Sequence, residues 1–243
     1  MKEFSLAMSL LDYIPVFLFT AAVVILIRAL YNKMSKGAFA LFAAGTVDVI
    51  AAGFLKASYK LLYALGICDF TSLSSLFFPM QALGFMLAGL GLAALILHRQ
   101  TEREKRDEKN GRKALFITIL VFVLFVVLLL IIGTNKDRIS APPYFSGTSV
   151  FVTLMVLGLA AMDAALSVLS VKLGKKSLII LFVLSFVFSL MMGYLSSRDF
   201  DKASMNWIAE GVNTTGQLTL LAGSLGLGRN GLEALRLHGE EKV

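Results

Sequence analysis

Four polar side chains, Asn206, Glu210, Asn213 and Gln217, follow one another at spacings of four, three and four residues. On a helix that spacing keeps all four on one face. Thr214 and Ser224 flank the stripe, and Ile208, Val212 and Leu218 fall on the opposite face. A carboxylate among amides can hold a proton or a cation, while the amides select a ligand by hydrogen bonding. The competing role is interhelical glue, worth about 0.6 kcal/mol per contact inside a membrane. Glu210 favours the cavity, because an ionisable group at membrane depth costs about 2.5–3.5 kcal/mol and usually marks a functional interior.

A second set of charges falls in one long apolar segment. Asp48 lies near its middle, and Lys56 and Lys60 follow one turn apart on a shared face, with Tyr59 and Tyr63 nearby. Lys60 is expected to reach toward headgroups, and Lys56 to pair with Glu210. Asp163, with Ser167 and Ser170 on its face, is a further acid, read either as a site or as the wall of a solvated vestibule. Gln81 follows Pro79, whose missing N–H would free a carbonyl and kink the helix. Gly84, Gly89 and Gly91 beyond it suit close helix packing. Glu210 and Asp48 would then be the proton-sensitive or cation-binding groups. Lys56 would be a counter-charge or anion contact, and Asn206, Asn213, Gln217 and Gln81 hydrogen-bonding selectors.

Metal and cofactor chemistry has no foothold in the residue types. Cys68 is the single cysteine and His98 and His238 the two histidines, so no Cys/His cluster exists. No His-Glu-x-x-His, Gly-x-Gly-Asp or phosphate-loop motif occurs, and neither an enzyme, a metal nor a cofactor is expected. Asn213-Thr214-Thr215 matches a glycosylation sequon but lies at membrane depth.

These residues must be positioned by membrane helices. The chain of 243 residues is 57% hydrophobic and 16% charged, a balance that a water-soluble domain could not hide. Seven segments approach the roughly 20 residues needed to span about 30 Å of hydrocarbon: 10–30, 38–65, 74–97, 114–133, 148–171, 177–196 and 204–227. No cleavage site follows the first, so it is expected to persist in the mature protein. The net charge of +7 sits in short loops, which argues for topology signals and against nucleic acid. Sixteen Lys and Arg flank one side and five the other, so the amino terminus is expected outside and the carboxyl terminus in the cytoplasm.

Segment 114–133 differs from the rest, since nothing in it is more polar than Thr118. It reads as a connector between two three-helix halves, 1–97 and 134–227, with a basic cytoplasmic loop at 98–113 and a tail at 228–243. The halves share weak likeness. Ser35-Lys36-Gly37 is echoed by Gly174-Lys175-Lys176-Ser177, and Leu87-Ala88-Gly89-Leu90-Gly91-Leu92 by Leu221-Ala222-Gly223-Ser224-Leu225-Gly226-Leu227. Both halves would start outside, so the repeats are parallel. The expected fold is an all-α integral membrane protein of seven helices in a 3+1+3 arrangement. That arrangement resembles the SWEET sugar transporters and their vitamin-transporter and PQ-loop relatives, over the whole chain but in topology alone. The chain lacks a Pro-Gln dipeptide and has one tryptophan, Trp207, so no functional residue is carried over. A rhodopsin-like reading fails for want of a mid-membrane lysine in the seventh segment.

The function expected is a small-solute transporter or channel-like protein of the cell membrane, with a polar outward-opening cavity and protons as the economical coupling ion. The expected partners are the lipid bilayer and a small-molecule or ion ligand, and no nucleic acid. The alternative is a sensor or accessory subunit that engages a protein partner through its cytoplasmic loops, where Glu102-Lys105-Arg106 and Glu104-Glu108-Lys109 have helix-like spacing.

Overall fold

The computed structural model describes residues 5–69, 73, 76–97, 147–195 and 203–232, and among them every regular element is helical. The elements are α1 (Leu6–Leu11), α2 (Tyr13–Leu30), α3 (Lys36–Ala64), α4 (Phe77–Leu97), α5 (Gly147–Lys172), α6 (Leu178–Leu195) and α7 (Ala203–Arg229). Among the described residues five spans are long and apolar enough to cross a membrane, with α1 and α2 forming one of them. Helix α7 has the length, 27 residues, but its polar stripe keeps it out of that set. The expected connector at 114–133 and the basic loop at 98–113 lie outside the described residues.

Local signals explain where the helices begin and end. Ser5 and Ser35 cap α1 and α3 by accepting from the N–H of Met8 and Ala38. Gly66 and Gly174 stop α3 and α5 with positive φ values of 68° and 70°. In each case the following residue donates back to a carbonyl of the last turn, Ile67 to Leu62 and Lys175 to Ser170, which closes a Schellman motif. Pro15 lies one turn after Leu11, where its ring clashes with that carbonyl and removes a ladder bond. The first span breaks there, leaving Asp12 between α1 and α2. Pro79 has no such effect, contrary to the expected kink. Helix α4 starts at Phe77, so Pro79 sits in the first turn, where its N–H is not needed.

The helices close into a ring in chain order, with each packed on the next and α7 returning to α2. The tightest contacts run through α3, α4 and α5. A Cβ at Gly45 would lie 2.4 Å from the Gly84 carbonyl oxygen, and one at Gly158 2.4 Å from the Met86 nitrogen, so backbone meets backbone. One half of the bundle is filled by Leu26, Phe42, Leu92, Leu166, Phe182 and Leu220. The outer surface is apolar, with Phe17, Val47, Ile180, Val183, Ile208 and Leu218 exposed, whereas Asp12, Lys60, Asp163 and Glu210 are buried. Charges inside and hydrocarbon outside suit a lipid environment and invert the distribution of a water-soluble bundle.

Burial recurs along the chain. The buried residues of α2 from Phe19 onward, Phe19, Ala22, Val23, Leu26, Ala29 and Leu30, are matched at one fixed sequence offset by Leu159, Met162, Asp163, Leu166, Leu169 and Ser170 on α5, all buried. The same offset takes Phe42 and Gly45 of α3 to the buried Phe182 and Ser185 of α6.

Candidate functional site

A cavity of about 360 Å³ occupies the end of the ring where α1 joins α2, and all six long helices line it. Each wall follows from helix periodicity. On α2, Pro15, Val16 and Phe19 face inward at spacings of one and three, and on α5 Met155, Val156 and Leu159 repeat that spacing. On α4 the lining residues are Phe77, Phe78, Gln81 and Phe85, spaced one, three and four. On α7 they are Ala209, Glu210, Asn213 and Gln217, spaced identically, with Asn206 one turn earlier. Helix α3 supplies Val49, Gly53, Lys56 and Lys60, and α6 supplies Ser189, Met192 and Gly193. Phe19 and Phe85 meet edge to face at 5.8 Å, where the cavity gives way to the filled half.

The charges are organised about Lys60. Its Nζ lies 2.6 Å from an Asp12 carboxylate oxygen and 3.6 Å from Glu210 Oε1, with all three side chains under a tenth exposed. The ammonium thus joins α3 to α7 and to the break between α1 and α2. Ser9 tightens the same corner by donating to the Lys60 carbonyl at 3.1 Å, and Tyr13 and Ser58 share a hydrogen bond at 3.0 Å. Lys56, one turn back along α3, is placed differently. Its Nζ lies 4.2 Å from the centre of the Phe77 ring, and no carboxylate among the described residues is within ion-pair distance of it. The second oxygen of Glu210 and the side-chain oxygen of Gln217 are buried with no hydrogen-bond partner among the described residues.

Six of the eight residues expected at the site, Glu210, Asn213, Gln217, Lys56, Gln81 and Asn206, do line this one cavity. Asp48 and Asp163 are not among its lining residues. Asp48 is half-buried on α3 beside the exposed Val47. Asp163 is buried on α5, and neither of its carboxyl oxygens has a hydrogen-bond partner among the described residues. Ser167 and Ser170 donate to carbonyls of their own helix, Asp163 and Leu166. The expected pairing of Lys56 with Glu210 is replaced by Lys60 with Glu210. The second and seventh segments are not neighbours in the ring, and the link between them is made by the lysine one turn further along α3, Lys60, whose side chain reaches the acid. Lys60 consequently does not extend to headgroups; it is 6% exposed.

Asp12 was not foreseen as part of the site, although its spacing to Pro15, Val16 and Phe19 is a helix-face signal. The aromatic wall of α4 carries no signal at all, since a phenylalanine facing a cavity and one facing lipid look alike in sequence. Among the described residues no group of His, Cys, Asp and Glu could hold a metal ion. Comparison with protein-family models, with curated proteins and with solved structures finds no match to this chain. The functional reading therefore rests on the cavity itself.

Proposed function

We propose that this chain is a small-solute transporter of the cell membrane, built as two parallel three-helix halves joined by a connector span, with its amino terminus outside. The observation that carries the proposal is the matched lining of one cavity by both halves. Positions on α2 and α5 and on α4 and α7 reach it at the same spacings, and Ser189 and Gly193 of α6 stand four residues apart as Val49 and Gly53 of α3 do. Two like halves around a shared central site are the arrangement that lets one half rock against the other and expose the site to each side in turn. The order of packing around the ring agrees with such a pseudo-twofold, because exchanging α2, α3 and α4 with α5, α6 and α7 maps every neighbouring pair onto another. With the amino terminus outside, the cavity lies in the outer half and the filled core closes the cytoplasmic half.

The test is cysteine labelling from each side of the membrane, in a Cys68→Ser background. Gln217→Cys, on the cavity wall, should react with an impermeant thiol reagent applied outside. Ser224→Cys, fully buried in the filled half, should react slowly from the cytoplasmic side if the halves rock. A Ser224→Cys chain inert from both sides, with Gln217→Cys reactive from outside, would make the cavity a fixed receptor pocket. The protein would then be a sensor acting through a partner.

A further inference from the structure

The two lysines of the cavity have unequal surroundings, and this inequality names a ligand class. Around Lys60 two carboxylates share one ammonium, so with all groups ionised that corner carries a surplus negative charge. Glu210 still presents a buried oxygen with no partner among the described residues. Lys56, one helical turn away, has the face of Phe77 for company and no carboxylate within ion-pair reach among the described residues. A cation on an aromatic face keeps most of its capacity to bind an anion, since the ring quadrupole supplies only about 0.5–2 kcal/mol. With Asp12, Lys56, Lys60 and Glu210 all ionised, the described lining therefore has a negative pole at Lys60, a positive pole at Lys56 and balanced charge.

The wall chemistry adds a third element. At matched positions α4 presents Phe77, Phe78 and Phe85 where α7 presents Ala209, Glu210 and Gln217. With Gln81 set against Asn213 between them, the α4 side is mostly aromatic and the α7 side mostly polar.

Resting on the reading of this cavity as a transport site, we propose that its substrate is a small zwitterion with an apolar side group, of the chemical kind of a hydrophobic amino acid. Its anionic group meets Lys56, its cationic group meets the free oxygen of Glu210, and its apolar part lies on the α4 wall. A neutral pair of opposite charges is the form of polar ligand that such a cavity admits at least cost. A lone anion or cation would bring uncompensated charge into a low-dielectric interior, whereas a zwitterion compensates both poles together.

The probes are phenylalanine, phenethylamine and 3-phenylpropionate, which share a ring and differ in bearing both charges, the cation alone or the anion alone. The readout is the thermal unfolding midpoint of the full chain in lipid nanodiscs. Phenylalanine is expected to raise the midpoint by about 5 °C when well above its Kd, since a ligand that binds the native state stabilises it. Neither half-charged analogue should do so. Lys56→Met should abolish the phenylalanine effect, and Asp48→Asn, outside the cavity, should retain it. A rise with phenethylamine or 3-phenylpropionate equal to that with phenylalanine overturns the two-pole assignment. So does the absence of a rise with all three. If the cysteine labelling nevertheless shows access from both sides, the transport reading stands and the ligand class alone has failed.

Discussion

Helices α4 and α7 occupy opposite places in the ring, yet they are held there by different means. On α4 the closest approaches of Gly89 and Gly91 are made to backbone: a Cβ at Gly89 would lie 2.5 Å from the Gly158 carbonyl oxygen, and one at Gly91 2.7 Å from that of Ala38. On α7 the equivalent contacts are to side chains, the Phe182 ring 2.7 Å from a Cβ at Gly223 and Leu178 Cδ2 2.5 Å from one at Gly226. Backbone cannot yield without moving a whole helix, whereas a ring or a leucine can change rotamer. The α3–α4–α5 side is thus a slab locked by glycine contacts, and α6 and α7 form a side that can shift against it. The aromatic wall belongs to the slab, and the polar wall, with Glu210, belongs to the adjustable side.

Substitutions can break or sharpen this contrast. The largest effect is expected where the two sides are tied together. Lys60→Met leaves Asp12 and Glu210 buried side by side and should cost about 3–5 kcal/mol, read as a lowered unfolding midpoint. Adding Asp12→Asn should return much of the loss. If it does not, the ammonium is not the link between them. Gly45→Val drives a side chain into the Gly84 carbonyl and should cost about 3 kcal/mol, visible as loss of the monodisperse peak in detergent chromatography. A well-behaved Gly45→Val protein would mean that the slab is not locked. Gly223→Ala meets only the far edge of Phe182 and should lower the midpoint by a few degrees, about 1 kcal/mol. An effect as large as that of Gly45→Val would erase the distinction between the sides. Glu210→Gln keeps the shape and loses the longer of the two ionic contacts, so its stability cost should be the smallest of the four, under about 1 kcal/mol.

Much of the helical frame was legible in the sequence, because apolar length and capping are local properties. The expected segments 38–65, 148–171 and 177–196 differ from α3, α5 and α6 by one or two residues at each end, and Ser35, Gly66 and Gly174 mark boundaries that any helix would respect. The stripe from Asn206 to Gln217 was legible for the same reason: helical periodicity fixes a face. Periodicity does not fix the height of one helix against another. For that reason the lysine that meets Glu210 lies one turn beyond the one the sequence points to, and Asp48, though on a helix that lines the cavity, is not among the lining residues. Asp12 was hidden by its position near the end of an apolar run, where an acid reads as a headgroup contact until the break before Pro15 is seen. Glycine spacing announces close packing, but only the three-dimensional arrangement shows that Gly89 meets backbone and Gly223 a ring.

The cluster of Asp12, Lys60 and Glu210 also bears on how the chain is made. A lone charge entering hydrocarbon costs about 2.5–3.5 kcal/mol, and these three enter on separate helices at different moments of synthesis. Asp12 and Lys60 belong to the first two spans and can neutralise each other soon after both have left the ribosome. Glu210 follows Lys60 by 150 residues, roughly 8–30 s later at about 5–20 residues per second. The 2.6 Å contact joins the early partners and the 3.6 Å contact the late one. On the proposed membrane arrangement, a hairpin of the first two spans would form as a neutral unit in the bilayer and wait for its last helix. Removing Asp12 would leave Lys60 uncompensated through that interval, so the defect would arise in biogenesis before it could be seen in the finished protein.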